Sequence, residues 1–126
     1  VNAVQQAIDY ARAQGASNVT TWGYSSGGAL AALVPADALL LTFPDFGALA
    51  NLPEDLRAGY EIPAELSELS PHTFVQTATE DEIAARVCVP GAVARDYVST
   101  HRVSTPAVAR QRVRDAAGFL AGGLEK

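Results

Sequence analysis

Methionine is missing from the sequence altogether, and the chain begins at Val1; with no start codon in view, the reading is a fragment or a processed chain. Cysteine is nearly missing too. Cys88 stands alone, which excludes an internal disulfide and a thiolate zinc site. The two histidines, His72 and His101, are too few to make a metal cluster by themselves, and no metal or other cofactor is expected. Fourteen acids against nine bases give a formal net charge of -5, and the only gathering of cations is the scattered "RQRVR" near the end. The chain therefore lacks an electrostatic footprint for a nucleic-acid backbone. No apolar run approaches the roughly 18 residues of a membrane span, and the N-terminus lacks the basic-then-apolar order of a secretory signal. Neither a nucleic-acid nor a membrane partner is expected, and the chain reads as soluble and cytoplasmic.

What is present suits one domain: 126 residues, 48% of them apolar, make one modest core and too little for two. Asn2 can cap a first helix whose positions Val4, Ala7, Ile8 and Ala11 share a face, with Gly15 ending it in a left-handed turn. Val19 to Gly23 is a β-branched and aromatic strand, and Gly28 to Leu33 an alanine-leucine helix stopped by Pro35. The run from Ala38 to Phe43 fits a strand buried on both faces. From Gly47 to Pro71 proline, glutamate and leucine take over, which reads as a cap-like surface excursion of short helical turns. Strand character returns from Thr73 to Ala78, a further helix is expected from Ile83 to Val87, and Ala94 to Ser99 is a late, near-edge strand. Thr105 and Pro106 open a last helix with Val113, Ala116, Ala117 and Leu120 on its apolar stripe. Strands alternating with helices imply an α/β fold, a mainly parallel sheet with helices on both faces.

The stretch "TTWGYSSGGAL" carries the chemistry. Gly23-Tyr24-Ser25-Ser26-Gly27 matches G-x-S-x-G and falls between a strand and a helix, where a nucleophile elbow requires it. In such a turn the serine backbone is strained, so the residues two before and two after it, Gly23 and Gly27, are expected to be glycine for want of space. The turn lifts the Ser25 hydroxyl above the carboxyl end of the sheet and leaves the backbone amide of Ser26 as an oxyanion donor. A merely structural glycine turn is the competing reading. A phosphate loop is not, because "GYSSGG" has neither the P-loop lysine nor the G-x-G-x-x-G spacing.

A serine becomes a nucleophile at neutral pH through a base, and an imidazole base needs a carboxylate to fix its tautomer. Downstream, Asp81 follows a strand in "ATEDE" and His101 lies in "STHRV", giving the order serine, acid, histidine. Asp81 with Glu80 and Glu82 also suits a solvated helix start, and His101 a cap ahead of the last helix. Asp45 in "FPDF" is the reserve acid, and His72, at the wrong end of its strand, reads as structural.

On these residues the chain resembles the α/β-hydrolase superfamily, and "YARAQGASNVTTWGYSSGGALAALVPADALLLTFPDF" is most similar to dienelactone-hydrolase-type serine esterases. The resemblance implies that residues 1–126 are the C-terminal portion of one such domain, with the first half of the fold absent and the excursion at 47–71 as a cap. It implies Ser25 as nucleophile, Asp81 as acid, His101 as base and the Ser26 amide as one oxyanion donor, acting on an ester, thioester or lactone. The second donor would come from upstream of Val1, and losing one donor costs on the order of 10²–10³ in turnover, so this chain alone is expected to be impaired. Its nucleophile strand would also have an uncovered edge, to be met by an upstream half, a complementing chain or a homodimer. Ala78 and Thr79 before the acid turn, and Ser99 and Thr100 before the histidine, stand where relatives often have glycine. The alternatives are acyl transfer by the same triad, a non-catalytic binding or assembly module, and a pocket formed by Trp22, Tyr24 and the cap near Leu49 to Leu56 that binds without chemistry.

Overall fold

Ala38–Thr42 and Thr73–Ala78 are buried at every position, and a strand covered on both faces belongs in the middle of a sheet. The computed structural model describes residues 2–50, 72–85, 87–102 and 104–122. Among them these segments are β2 and β3 of a four-stranded parallel sheet ordered β1-β2-β3-β4, with β1 at Thr20–Tyr24 and β4 at Val93–Tyr97. The architecture is α/β, as the alternation of elements predicted. Tyr24, Thr42 and Gln76 stand in one register row, and Ala78 pairs with Tyr97. Every loop that leaves the carboxyl ends of the strands therefore emerges on one edge.

Alternation along the strands sends their side chains into two different layers. Leu39, Leu41 and Val75 pack with Ala31 and Ala32 of α2, Ser26–Ala32, and with Val89. Leu40 and Phe74 pack on the opposite face with Ala116 and Phe119 of α4, Pro106–Leu120. The Phe74 and Phe119 rings lie 5.5 Å apart and tilted by 48°, an arrangement the ring quadrupoles favour. Thr105 caps α4 by accepting from the Val108 N–H at 3.3 Å.

The first helix, α1, spans Asn2–Ala13. It ends as expected at Gly15, whose φ is 99°: the Ala16 N–H donates to the Ala11 carbonyl and the Gly15 N–H to that of Arg12, both at 3.0 Å, the paired bonds of a left-handed C-cap. Of its expected apolar face only Ile8 is buried; Val4 and Ala11 are half-buried and Ala7 is exposed. After β2 a short α3 covers Gly47–Ala50, and the rest of the excursion, 51–71, lies outside the described residues.

Two expectations are corrected. Where the helix was expected from Ile83 to Val87, the described residues 83–85 and 87 are bends and irregular backbone, with no helix. Val87 and Val89, two positions apart, both pack into the α2-side core, which an extended segment satisfies and a helix does not. The stripe of α4 is also rotated. Val113 and Leu120 are more than half exposed and Ala117 is exposed, whereas Arg112, Asp115, Ala116 and Phe119 face inward. Beneath α4, Gln76 bonds the Arg112 backbone carbonyl, Tyr97 bonds the Asp115 carboxylate, and the Phe43 ring lies 5.2 Å from the Arg112 guanidinium, so polar side chains take the inward face.

Candidate active site

β1 ends at Tyr24 and α2 begins at Ser26, leaving Ser25 as the single residue of the turn. Its backbone sits at φ 57°, ψ -123°, a region that costs a non-glycine residue about 1–3 kcal/mol and persists only where the surroundings over-determine it. They do so here. The Ser25 N–H donates to the Thr42 carbonyl at 3.0 Å, and the Ser25 carbonyl accepts from Gly28 at 3.0 Å, Asp45 at 2.9 Å and Ala29 at 3.3 Å. A Cβ on Gly23 would stand 2.3 Å from the Gly27 carbonyl oxygen, so that position admits only glycine. The same argument does not reach Gly27, where a Cβ would meet nothing within 4 Å; the second crowded position is Gly28, where a Cβ would stand 3.2 Å from the Gly23 carbonyl oxygen and from the Pro44 side chain.

The acid and the histidine arrive on neighbouring strands. Beyond Ala78 the pairing of β3 with β4 continues through Thr79 N–H to the Tyr97 carbonyl at 2.9 Å and Glu80 N–H to the Ser99 carbonyl at 3.0 Å. The two loops thus leave the sheet side by side without glycine. Asp81 Oδ1 accepts from the N–H groups of Ile83 at 2.9 Å and Ala84 at 2.7 Å, which leaves Oδ2 for His101 Nδ1 at 2.8 Å. His101 Nε2 lies 2.8 Å from Ser25 Oγ. Burial pushes the Asp81 carboxyl up, but the His101 hydrogen bond and the Ala84 and Ile83 N–H groups outweigh it and hold the group below the usual carboxylate range. An ionised carboxylate only accepts, so Nδ1 carries the proton and Nε2 is free to receive the Ser25 hydroxyl proton.

The imidazole is 3% exposed and forms a triangle with two rings, Tyr24 at 5.5 Å and Phe43 at 6.1 Å between centroids. Phe43 is itself left-handed, with φ 47°. The histidine's peptide groups are bonded as well: the Tyr24 hydroxyl donates to the His101 carbonyl at 2.6 Å, and Glu82 Oε2 accepts from the His101 N–H at 2.9 Å. The sequence reading missed Phe43 and the roles of Tyr24 and Glu82. Adjacency to Ser25 and Asp81 was the only signal available for the last two.

Under the histidine, a chain of hydrogen bonds crosses the sheet. Trp22 Nε1 donates to Thr42 Oγ1 at 2.8 Å and Thr42 Oγ1 to Gln76 Oε1 at 2.6 Å; Gln76 Nε2 donates to Tyr97 Oη at 3.2 Å and to the Arg112 carbonyl at 2.9 Å; Tyr97 donates to Asp115 at 2.6 Å. Burial, reinforced by the bond to Asp115, raises the Tyr97 hydroxyl well above the ordinary phenol range. Beside His101 a cavity of about 390 Å³ is lined by Trp22, Tyr24, Phe43, Arg102 and Arg112. It holds Trp22 and Tyr24 of the expected pocket; residues 51–56 of its expected cap lie outside the described residues.

Asp45, the reserve acid, accepts from the Ala48 N–H at 3.2 Å and so caps α3; Asp81 bonds the histidine instead. His72 stands at the other end of the sheet, lining a cavity of about 580 Å³ with Ser17, Asn18 and Asp37. Among the described residues no group of three or more His, Cys, Asp or Glu side chains is placed to hold a metal, and no helix is long and apolar enough to cross a membrane. Compared with models of known protein families the chain matches none, and compared with curated proteins it likewise has no match.

Proposed function

We propose that this chain is a serine hydrolase of the α/β-hydrolase type, cleaving an ester, thioester or lactone through an acyl-enzyme. The observation that carries the reading is the unbroken line from Asp81 Oδ2 to His101 Nδ1 and from His101 Nε2 to Ser25 Oγ, each step 2.8 Å, ending on a serine held in a strained turn. Ser25 Oγ attacks the carbonyl carbon while its proton passes to Nε2, and Asp81 stabilises the imidazolium that forms. The carbonyl oxygen becomes an oxyanion. The Ser26 N–H, at the start of α2 where amides have no partner in the preceding turn, donates to it. The carbon–leaving-group bond then breaks, Nε2 protonates the leaving group, and a water deprotonated by the same nitrogen hydrolyses the acyl-enzyme.

A non-catalytic module would be favoured by a histidine out of reach of Ser25, and the 2.8 Å separation speaks for chemistry instead. The outer edge of β1, unpaired among the described residues, is where an upstream half, a complementing chain or a second copy would add, and an added loop there would supply the second oxyanion donor. The experiment is intact-mass labelling with a serine-reactive fluorophosphonate. One adduct on the parent chain, lost in Ser25→Ala and in His101→Ala, is the expected result. An unlabelled parent, also when the upstream half is supplied, would overturn the reading. Product analysis with an added alcohol or amine separates hydrolysis from acyl transfer.

A further inference from the structure

The side-chain bonds of His101 are only half of what holds it. Residues 98 to 105 between β4 and α4 contain no regular structure where described, so the imidazole would inherit any drift of its own backbone. Both polar groups of the His101 residue are nevertheless taken: its N–H by Glu82 Oε2 at 2.9 Å and its carbonyl by the Tyr24 hydroxyl at 2.6 Å. These partners are the chain neighbours of the other two members of the triad. Tyr24 precedes Ser25, and Glu82 follows Asp81. The elbow therefore grips the histidine twice, through Ser25 at Nε2 and Tyr24 at the carbonyl. The acid turn also grips it twice, through Asp81 at Nδ1 and Glu82 at the N–H.

Resting on the serine-hydrolase reading, we propose that Tyr24 and Glu82 are positioning residues that clamp the His101 backbone from opposite sides and so keep Nε2 within reach of Ser25 Oγ. The clamp stands in a loop whose residue Ser99 is tied on both sides: its carbonyl accepts from the Glu80 N–H at 3.0 Å, and its Oγ donates to the Thr100 carbonyl at 2.7 Å and lies 2.8 Å from Ser104 Oγ. The two anchors differ in kind. Tyr24 is a neutral donor, about half exposed, whose ring lies 5.5 Å from the imidazole and 6.2 Å from Phe43. Glu82 is exposed, and the His101 N–H, with its own N–H, holds its carboxyl below the usual glutamate range, so it is an ionised acceptor throughout the neutral range. A displacement of about 1 Å at a reacting group costs as much as 10²-fold in rate, and loss of one anchor of two falls short of that.

The test is the kinetics of Ser25 labelling by a fluorophosphonate, separated into maximal rate constant and half-saturating concentration. It uses the parent chain, Glu82→Ala, Glu82→Gln, Tyr24→Phe and the double variant Tyr24→Phe/Glu82→Ala. Thermal melts confirm that each rate belongs to folded protein. Glu82→Ala should lower the maximal rate about 10-fold with half-saturation unchanged, Tyr24→Phe about 5-fold, and Glu82→Gln, whose amide oxygen still accepts, should stay within about 3-fold of the parent. The double variant should lose more than the product of the single losses, because either bond alone still holds one end of the residue. Tyr24→Phe keeps the ring and its packing, so it carries the test where Glu82→Ala does not fold. Folded Glu82→Ala and Tyr24→Phe labelled at the parent rate would overturn the clamp alone, as would Glu82→Gln no faster than Glu82→Ala. A parent chain that takes no label would overturn the hydrolase reading first, and the clamp with it.

Discussion

Among the described residues, the left-handed backbone positions at the amino end of the sheet are Gly15, Gly91 and Gly122, and at the carboxyl end Ser25 and Phe43. Glycine adopts positive φ without steric cost, whereas a serine or a phenylalanine stores about 1–3 kcal/mol there. The carboxyl end bears that strain under four backbone hydrogen bonds to Ser25 and a Phe43 ring packed between Tyr24, His101 and the Arg112 guanidinium, 5.2 Å from the ring centroid. At the amino end His72, Asp37 and Asn18 border an open cavity instead. A side chain kept where glycine would be easier is there for what it touches, and that separates the two ends more sharply than their composition does.

The comparison can be broken first at the histidines. His101→Ala should slow Ser25 labelling by about 10³-fold or more, and His72→Ala should leave it within about 2-fold, both read with the fluorophosphonate; equal effects would erase the distinction between the ends. The next largest effect is on folding. Gly23→Ala drives a Cβ into the Gly27 carbonyl and should cost about 4 kcal/mol or prevent folding. Gly27→Ala, with open space, should stay within about 1 kcal/mol, and urea unfolding compares them.

Tyr97→Phe comes third, removing the hydroxyl that joins Gln76 to Asp115 at about 1–2 kcal/mol. Its pH dependence has a definite sign. The folded-state value of Tyr97 is raised, so its contribution is complete below the ordinary phenol value near 10 and is lost as pH rises beyond it. The parent should lose stability above about pH 10 more steeply than Tyr97→Phe. Asp81 works in the opposite direction: its value is lowered, so its contribution is complete above about pH 4 and fades as pH falls. The smallest effect belongs to Gly15→Ala, which strains a left-handed cap at the amino end by about 1 kcal/mol with no change in labelling rate.

How much of this was legible in the sequence depended on how each residue is used. β2 was read to within a residue because Ala38, Leu39, Leu40 and Leu41 are buried, which writes an unbroken apolar run, and β3, Thr73–Ala78, because its threonines, Phe74 and Val75 have strand character. β4 was read late and dimly because Arg95 is half-exposed and Asp96 exposed, the mark of an edge strand. Ser25, Asp81 and His101, which the structure joins by hydrogen bonds, were legible because an elbow motif calls for particular residue types at particular positions along the chain. The bonds from Tyr24 and Glu82 to the His101 backbone were not legible, since a side chain bonded to a distant backbone leaves no periodicity. The face of α4 was misread for a related reason: Arg112 and Asp115 count as polar in any stripe, and only the Phe43 ring under the Arg112 guanidinium and the Tyr97 hydroxyl against the Asp115 carboxylate turn them inward.

Trp22 is the sole tryptophan of the chain; it sits on the edge strand, half exposed, with its indole N–H given to Thr42 at the head of the cross-sheet hydrogen-bond chain. Its fluorescence is therefore a built-in optical gauge with a single source. Emission moving to shorter wavelength signals a strand laid over the β1 edge, and a change in intensity on Thr42→Val reports the state of the polar chain without any label being added.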